Sequence, residues 1–417
     1  MTNSKTNYIQ TEIGLIPDDW KIGNMLDNST LKARIGWQGL TTAEYLSSGD
    51  YFLVTGTDFF DGKIKWETCH FVEEERYIQD KNIQLKKDDI LVTKDGTIGK
   101  VAIVDKIILP TTLNSGVFVV RPKRNSYNPQ FLFYVLKSPL FDLFLSQLVA
   151  GSTIQHLYQK DFVYFKFPIP TLQEQTAIAQ ALSDTDNLIT NLQNLINKKR
   201  QLKQAAMHQL LTPKEHWDKE KNSEFKNVKL GDIADIQRGA SPRPIEDPIW
   251  FDNNSETGWV RISDVTEANK FLVKTTQRLS HLGIRNSRYV IQDSLIMSIC
   301  ATIGKPIITR INVCIHDGFV VFKNLKVNMV YLYYILEFIQ NEWSKNGQTG
   351  SQMNLNTSLI NNFQFVIIKS SQQQNYIAEL LSDIDLEIES INNKLDKALK
   401  LKDGMMQNLL TGKIRLV

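Results

Sequence analysis

Arginine, lysine, glutamine and asparagine gather in turns of this 417-residue sequence where chain folding alone does not ask for them. LKARIGWQGLT, from Leu31, places Lys32, Arg34, Trp37 and Gln38 just after an opening strand, and a corresponding stretch, IQRGASPRP from Ile236, places Arg238, Ser241 and Arg243. A second pair of turns, AGSTIQHLYQK from Ala150 and TGSQMNLNTS from Thr349, offers Ser152, Thr153, Gln155 and His156 in one case and Ser351, Gln352 and Asn354 in the other. A third, KDGTIGK, adds Lys94, Thr97 and Lys100, with Lys305 ending its counterpart. Such side chains hydrogen-bond guanine and adenine edges in the major groove of duplex DNA, and turn glycines let backbone approach phosphates. Any one of these turns reads equally well as plain surface. Their recurrence at corresponding places with different side chains fits two sites of one kind directed at different targets.

Catalytic signatures are missing by comparison. Gly96 to Lys100 has the look of a phosphate loop, but such a loop needs glycine where Lys94 stands and Ser or Thr where Val101 stands. Asn128-Pro129-Gln130-Phe131 approaches the Asn-Pro-Pro-Tyr/Phe loop of amino-methyltransferases, yet its repeat partner reads Asn328-Met329-Val330-Tyr331 and a glycine-rich cofactor loop is lacking. Asparagine as a helix N-cap with proline in the first turn explains it better. The sequence holds neither H-E-x-x-H nor G-x-S-x-G. Cys69, Cys300 and Cys314 have no zinc-ligand spacing and are expected to be reduced and structural. The expectation is a non-catalytic chain with no metal or cofactor of its own.

What must position the turns is a duplicated framework. DDILVTKDGTIGK at Asp88 returns as DSLIMSICATIGK at Asp293, and NPQFLFYVL at Asn128 as NMVYLYYIL at Asn328. Gln173 to Lys214 aligns without a gap on Gln372 to Lys413, with 18 identities in 42 positions. The first part of each copy mixes short β-branched and aromatic runs with Gly, Asn and Asp turns and one helix, at 129–149 or 329–343. The second part is a long helix, free of Pro and Gly until Pro213 in one copy and Gly404 in the other. Apolar residues, with Thr185 as the exception, recur along both helices in steps of four and three: Ile178, Leu182, Thr185, Ile189, Leu192 and Ile196, then Ile377, Leu381, Ile384, Ile388, Ile391 and Leu395. That period is a coiled-coil seam. Leu188, Leu195 and Leu202 form a second stripe on the first helix.

An apolar seam some forty residues long cannot stay exposed, and the other helix of the same chain can cover it. Antiparallel pairing is favoured because the chain must leave the far end of the first helix, fold a second globular domain and return. The expected class is mixed α/β (α+β): two similar globular domains, 1–170 and 226–369, separated by long helices at 171–214 and 370–417 that form an antiparallel coiled coil. The second helix carries the C-terminal tail, a polar linker spans 215–225, and the whole is a pseudo-twofold internal repeat.

Composition sets further bounds. At 42% apolar and 22% charged the chain is ordinary globular protein, not disordered. The apolar stretch from Phe131 to Ala150 is interrupted by Lys137, Pro139 and Asp142, and the N-terminus has no export signal, so the expectation is a cytoplasmic chain without a membrane partner. A net charge of only +3 predicts weak binding to duplex DNA unless charges cluster or a partner adds more.

Five features together resemble the specificity (S) subunits of type I restriction-modification systems. They are Ile16-Pro17-Asp18-Asp19-Trp20, Leu230-Gly231-Asp232-Ile233, the doubled T-I-G-K, the helix entry from Pro170 through Gln173-Glu174-Gln175 to Ala179, and the ending from Leu409 to Leu416. The second helix entry departs from the pattern, reading Ser371-Gln372-Gln373-Gln374 where Pro and Glu are usual. The resemblance implies two target-recognition domains, each reading half of a bipartite double-stranded DNA sequence, with the helices as a ruler. It also implies docking of two methyltransferase (modification) subunits on the helices, with restriction/translocase subunits joining them. S-adenosylmethionine, ATP and Mg2+ would then belong to those partners. Two other readings compete with it: a stand-alone DNA methyltransferase or nuclease with diverged motifs, and a coiled-coil scaffold that binds only proteins.

Overall fold

The computed structural model describes residues 7–35, 39–149, 156–213, 224–346 and 355–416. The chain divides into two compact units, 1–193 with 394–417 and 194–393, so each unit takes one part of each long helix. The linker at 215–225 lies outside the described residues except for 224 and 225.

Strand runs such as Ile90–Thr93 are buried at every position because the sheet they form is covered on both faces. In the first unit the strands lie in the order Val101–Ile103, Ile90–Thr93, Val117–Pro122, Ser29–Lys32, all antiparallel. Ile90, Val92, Phe118 and Val120 face one core, built with the helix Pro129–Leu136. Leu91, Val117 and Val119 face another, shared with Phe52, Val54 and Trp66. The second unit repeats the arrangement: Asp235–Arg238, Phe319–Lys323, Leu295–Ser298, Pro306–Thr309, with Phe271–Leu272 added parallel at the edge. Leu295 and Met297 face one core, and Ile296 faces the other. Each unit also has a small sheet containing one parallel pair, Phe52–Val54 with Thr111–Leu113 and Gly258–Val260 with Val313–Ile315.

The single helices expected at 129–149 and 329–343 are each two. Pro139 ends the first run, giving Pro129–Leu136 and Pro139–Val149, and the second copy breaks likewise into Met329–Phe338 and Gln340–Asn346. The N-cap reading holds: the Asn128 side chain accepts from the amides of Gln130 and Phe131, and that of Asn328 from Tyr331. Among the described residues no single helix is long and apolar enough to cross a membrane. Pro129–Leu136 and Pro139–Leu148 would reach that length only together, bent by 57°, and Phe131 through Leu136 are buried in the core.

The long helices run Leu172–Leu211 and Ser371–Leu409, the first about 60 Å at 1.5 Å per residue. The second passes through Gly404, which faces open space, and ends near Gly412 at φ +70°. Gln175, fully buried, fixes the first helix entry by donating to the Pro170 carbonyl at 2.9 Å and accepting from the Asn128 amide at 2.8 Å. Gln374 does the same with the Ile368 carbonyl and the Asn328 amide, at 2.8 and 3.0 Å. The unusual Ser-Gln-Gln-Gln entry therefore keeps the geometry, because the glutamine that does the holding is retained.

Candidate nucleic-acid interface

Three chain segments meet at one end of the central sheet in each unit, joined by the same hydrogen bonds. In the first unit the Lys94 amide donates to the Gly116 carbonyl (2.9 Å), Leu157 to Lys94 (2.8 Å) and Gly99 to Thr93 (3.0 Å). In the second, Ile299 donates to Gly318 (2.8 Å), Leu355 to Ile299 (3.0 Å) and Gly304 to Ser298 (2.8 Å). The hydroxyls of Thr93 and Ser298 each close the T-I-G-K turn onto the carbonyl of Thr97 or Thr302. Gly99 and Gly304 sit at φ +82° and +76°, and an added Cβ would stand 2.3 Å from Leu145 Cδ1 or 2.2 Å from Trp343 Cδ1. The doubled T-I-G-K is thus an architectural turn, its glycine set by close packing on a helix.

On this shared frame the side chains differ. Lys94 is half-buried with its ammonium 5.3 Å from the centre of the Phe118 ring, and burial pulls its pKa below the usual lysine value. Thr97 and Lys100 are exposed beside it. His156 hydrogen-bonds Asp95 and lies against the Tyr158 ring at 4.6 Å. Lys32 is exposed at the end of its strand. In the second unit Arg238 donates from Nε to the Asp317 carbonyl at 2.7 Å, Ser241 donates to Asp317 Oδ1 at 2.7 Å, and an Arg243 amino group lies 3.5 Å from Asp317 Oδ2.

Two expectations need correction. Arg34 is 1% exposed. Its guanidinium donates to the carbonyls of Leu113 and Arg76, to Thr112 Oγ1 and to Gln79 Oε1, at 2.9 to 3.1 Å. It ties a strand to the small sheet and offers nothing to a ligand. Lys305 likewise turns inward, its ammonium donating to the carbonyls of Thr266 and Ala268 at the end of a short helix, at 3.1 and 3.0 Å. Trp37, Gln38, Ser152, Thr153, Gln155, Ser351, Gln352 and Asn354 lie outside the described residues.

The sequence reading passed over Asp95, Asn114, His316 and Asp317. Asn114 and His316 hold the same place: the amide of Gly116 donates to Asn114 Oδ1 at 3.0 Å, and that of Gly318 to His316 Nδ1 at 2.9 Å. The signal was present in the repeat, where NSGVFVV at Asn114 matches HDGFVVF at His316.

The helix seam closes within each unit. In the first, Ile178 and Leu182 share a core with Leu409 and Leu410, and the Thr185 hydroxyl lies 3.5 Å from Met405 Sδ. In the second, Met207 and Leu211 share a core with Ile377 and Leu381, and Lys199 pairs with Glu387. Numbers rise on one helix as they fall on the other, so the pairing is antiparallel in both units. Ile189, Ile196 and Ile391 are also buried, while Leu192, Ile384, Ile388 and Leu395 are half-buried.

Comparison with known proteins agrees with this arrangement. The family model described as type I restriction modification DNA specificity domain matches residues 40–203 and again 222–401. The type I restriction enzyme MjaVIII specificity subunit of Methanocaldococcus jannaschii is 29% identical over 426 aligned positions, covering 96% of this chain and 94% of the relative. Among solved structures, the type I restriction-modification S subunit from M. genitalium superposes with a TM-score of 0.61 at 18% identity, covering 98% of this chain and 97% of the other. A chain solved in work on complex assembly and conformational transition of the type I R-M system gives 0.55 at 16% identity, covering 96% and 99%.

Proposed function

The chain belongs to the type I restriction modification DNA specificity family, and from that membership we propose that each unit reads one half of a bipartite duplex sequence on behalf of a larger complex. It is a specificity subunit: it contributes recognition, and the chemistry belongs to other chains. The observation that carries the reading is the duplicated frame, in which equivalent hydrogen bonds set Lys94 and Asn114 in one unit and Ile299 and His316 in the other. One scaffold with different side chains is what two half-sites of different sequence require.

Two methyltransferase subunits dock on the helical pair, and restriction subunits join through them. The exposed stripe of Leu188, Leu195 and Leu202, each 41 to 51% exposed at seven-residue intervals, supports a helical partner there. A net charge of +3 supports the need for partner cations on DNA. S-adenosylmethionine, ATP and magnesium are held by those partners, and a cytoplasmic complex agrees with DNA as its target.

Methylome sequencing of a host carrying this chain with its modification subunits tests the proposal. A methylated bipartite motif is expected, and a footprint over two separated half-sites should require the added subunits. Inserting four residues, about one helical turn, after both Gln193 and Asn393, where neither compact unit is interrupted, should lengthen the unread spacer and leave both half-sites unchanged. An unaltered spacer refutes the ruler. A footprint that never forms favours the protein scaffold, and methyl transfer or cleavage by the purified chain alone favours the enzyme.

A further inference from the structure

A carboxylate stands where the second unit would meet DNA, and phosphates should repel it. Asp317 is instead the centre of a cationic cluster. Its Oδ1 accepts from Ser241 and its Oδ2 lies 3.5 Å from the guanidinium of Arg243, whose side chain is 77% exposed. Its backbone carbonyl accepts from Arg238 at 2.7 Å, a bond that among the described residues uses Nε alone. The strand end is pressed onto this turn: a Cβ at Gly239 would stand 2.0 Å from the His316 carbonyl oxygen. The neighbouring His316 accepts a hydrogen bond from the Gly318 amide on Nδ1, so the proton of its neutral ring sits on Nε2. The hydrogen bond from Ser241 leads the effects that hold the Asp317 carboxyl below the usual carboxylate range, outweighing its partial burial.

The first unit solves the same problem differently. Ser115 occupies the position of Asp317, Lys32 pairs where Gln237 does, one residue before Arg238, and the carboxylate comes from Asp95, which engages His156. An exposed arginine loses rotational freedom when it reads a base, and a carboxylate that already holds it removes part of that cost.

We propose that Asp317 is a positioning residue for base recognition in the second unit: its carboxylate, fixed by the Ser241 hydroxyl, holds Arg243, and its carbonyl holds Arg238, so that the two guanidinium groups stand as preformed donors for that unit's half-site. This rests on the half-site reading proposed above. Asp317→Ser, which installs the first unit's residue, and Asp317→Asn are to be compared with wild type by methylome sequencing in the presence of the modification subunits. The half-site read by the first unit and the spacer should stay fixed, while discrimination at one or more positions of the other half falls by roughly tenfold. Arg243→Ala removes the reader instead of its holder and should relax the same position. A full wild-type motif with only reduced methylation in Asp317→Asn, or an unchanged motif in Arg243→Ala, overturns the proposal, and so does relaxation of both halves. If the wild-type complex methylates no bipartite motif, it is the underlying half-site reading that fails.

Discussion

Lys203 of the first long helix lies 2.8 Å from Asp385 of the second. The residues 199 positions further on from Lys203 and 199 positions back from Asp385 are Lys402 and Asp186, and they pair at 2.6 Å. Each ion pair thus joins a lysine of one copy to an aspartate of the other, as a duplicated helix pairing antiparallel with its own copy must do. Both aspartates also accept a hydrogen bond from a globular-domain tyrosine, Tyr134 on Asp186 at 2.9 Å and Tyr334 on Asp385 at 2.6 Å. In each unit the interhelical ion pair is thereby tied to the globular part as well.

The Lys203–Asp385 pair should therefore contribute more than an ordinary surface ion pair. Burial opposes the charge on Lys203, but Glu337 and Asp385 outweigh it and raise its pKa. A double-mutant cycle with Lys203→Ala and Asp385→Ala in urea unfolding is expected to give a coupling of about 1–2 kcal/mol. A coupling near zero would assign the contact to surface decoration.

Gln374→Ala should destabilise the second unit by about 2–3 kcal/mol, because it leaves the Asn328 amide and the Ile368 carbonyl without their partner. Gln374→Glu, which keeps an acceptor but loses the donor, should fall between alanine and wild type. Thermal unfolding of both variants checks the order.

Lys270 gives a pH dependence of defined sign. It is 7% exposed, donating to Tyr334 Oη at 3.0 Å and Ser382 Oγ at 2.7 Å. Burial pushes its pKa down to about 8, against the attraction of Asp385 and Glu337 and with the repulsion of Lys203 and Arg310. Between about pH 8 and the ordinary lysine value of 10.5 the unfolded chain binds more protons here than the folded one, so this group's contribution to stability rises with pH across that window. Below pH 8 the cost of the buried charge is fully present. Lys270→Met should melt higher than wild type at pH 7, and the gap should narrow as pH is raised to 9.5. A gap independent of pH would mean that the ammonium carries no burial cost.

Arg34 and Lys32 separate structure from recognition. Arg34→Ala should cost about 3 kcal/mol, since four acceptors around a buried guanidinium lose their donors. The bases recognised by surviving protein should be unchanged. Lys32→Ala should leave the melting temperature within about 1 °C and weaken DNA binding by the assembled complex. Melting curves and salt-dependent binding of the two variants supply the comparison.

The duplication, the two long helices, their seam and the two-domain plan were all legible in the sequence. Each depends on local or periodic information: identities at a fixed offset, apolar steps of four and three, caps such as Asn128, and the absence of breakers. Helix ends and the break at Pro139 were harder, because a largely apolar stretch such as Phe131 to Ala150 shows burial without showing direction. The tertiary structure alone decided what each candidate side chain touches. Arg34 has the residue type of a base reader but lies where four acceptors converge from two other segments, and Asp317 has the wrong charge for DNA but gathers two arginines and a serine around it. Those contacts join residues 40 to 80 positions apart, and a side chain's partners at that distance follow from how strands register across the sheet, which composition and spacing do not encode.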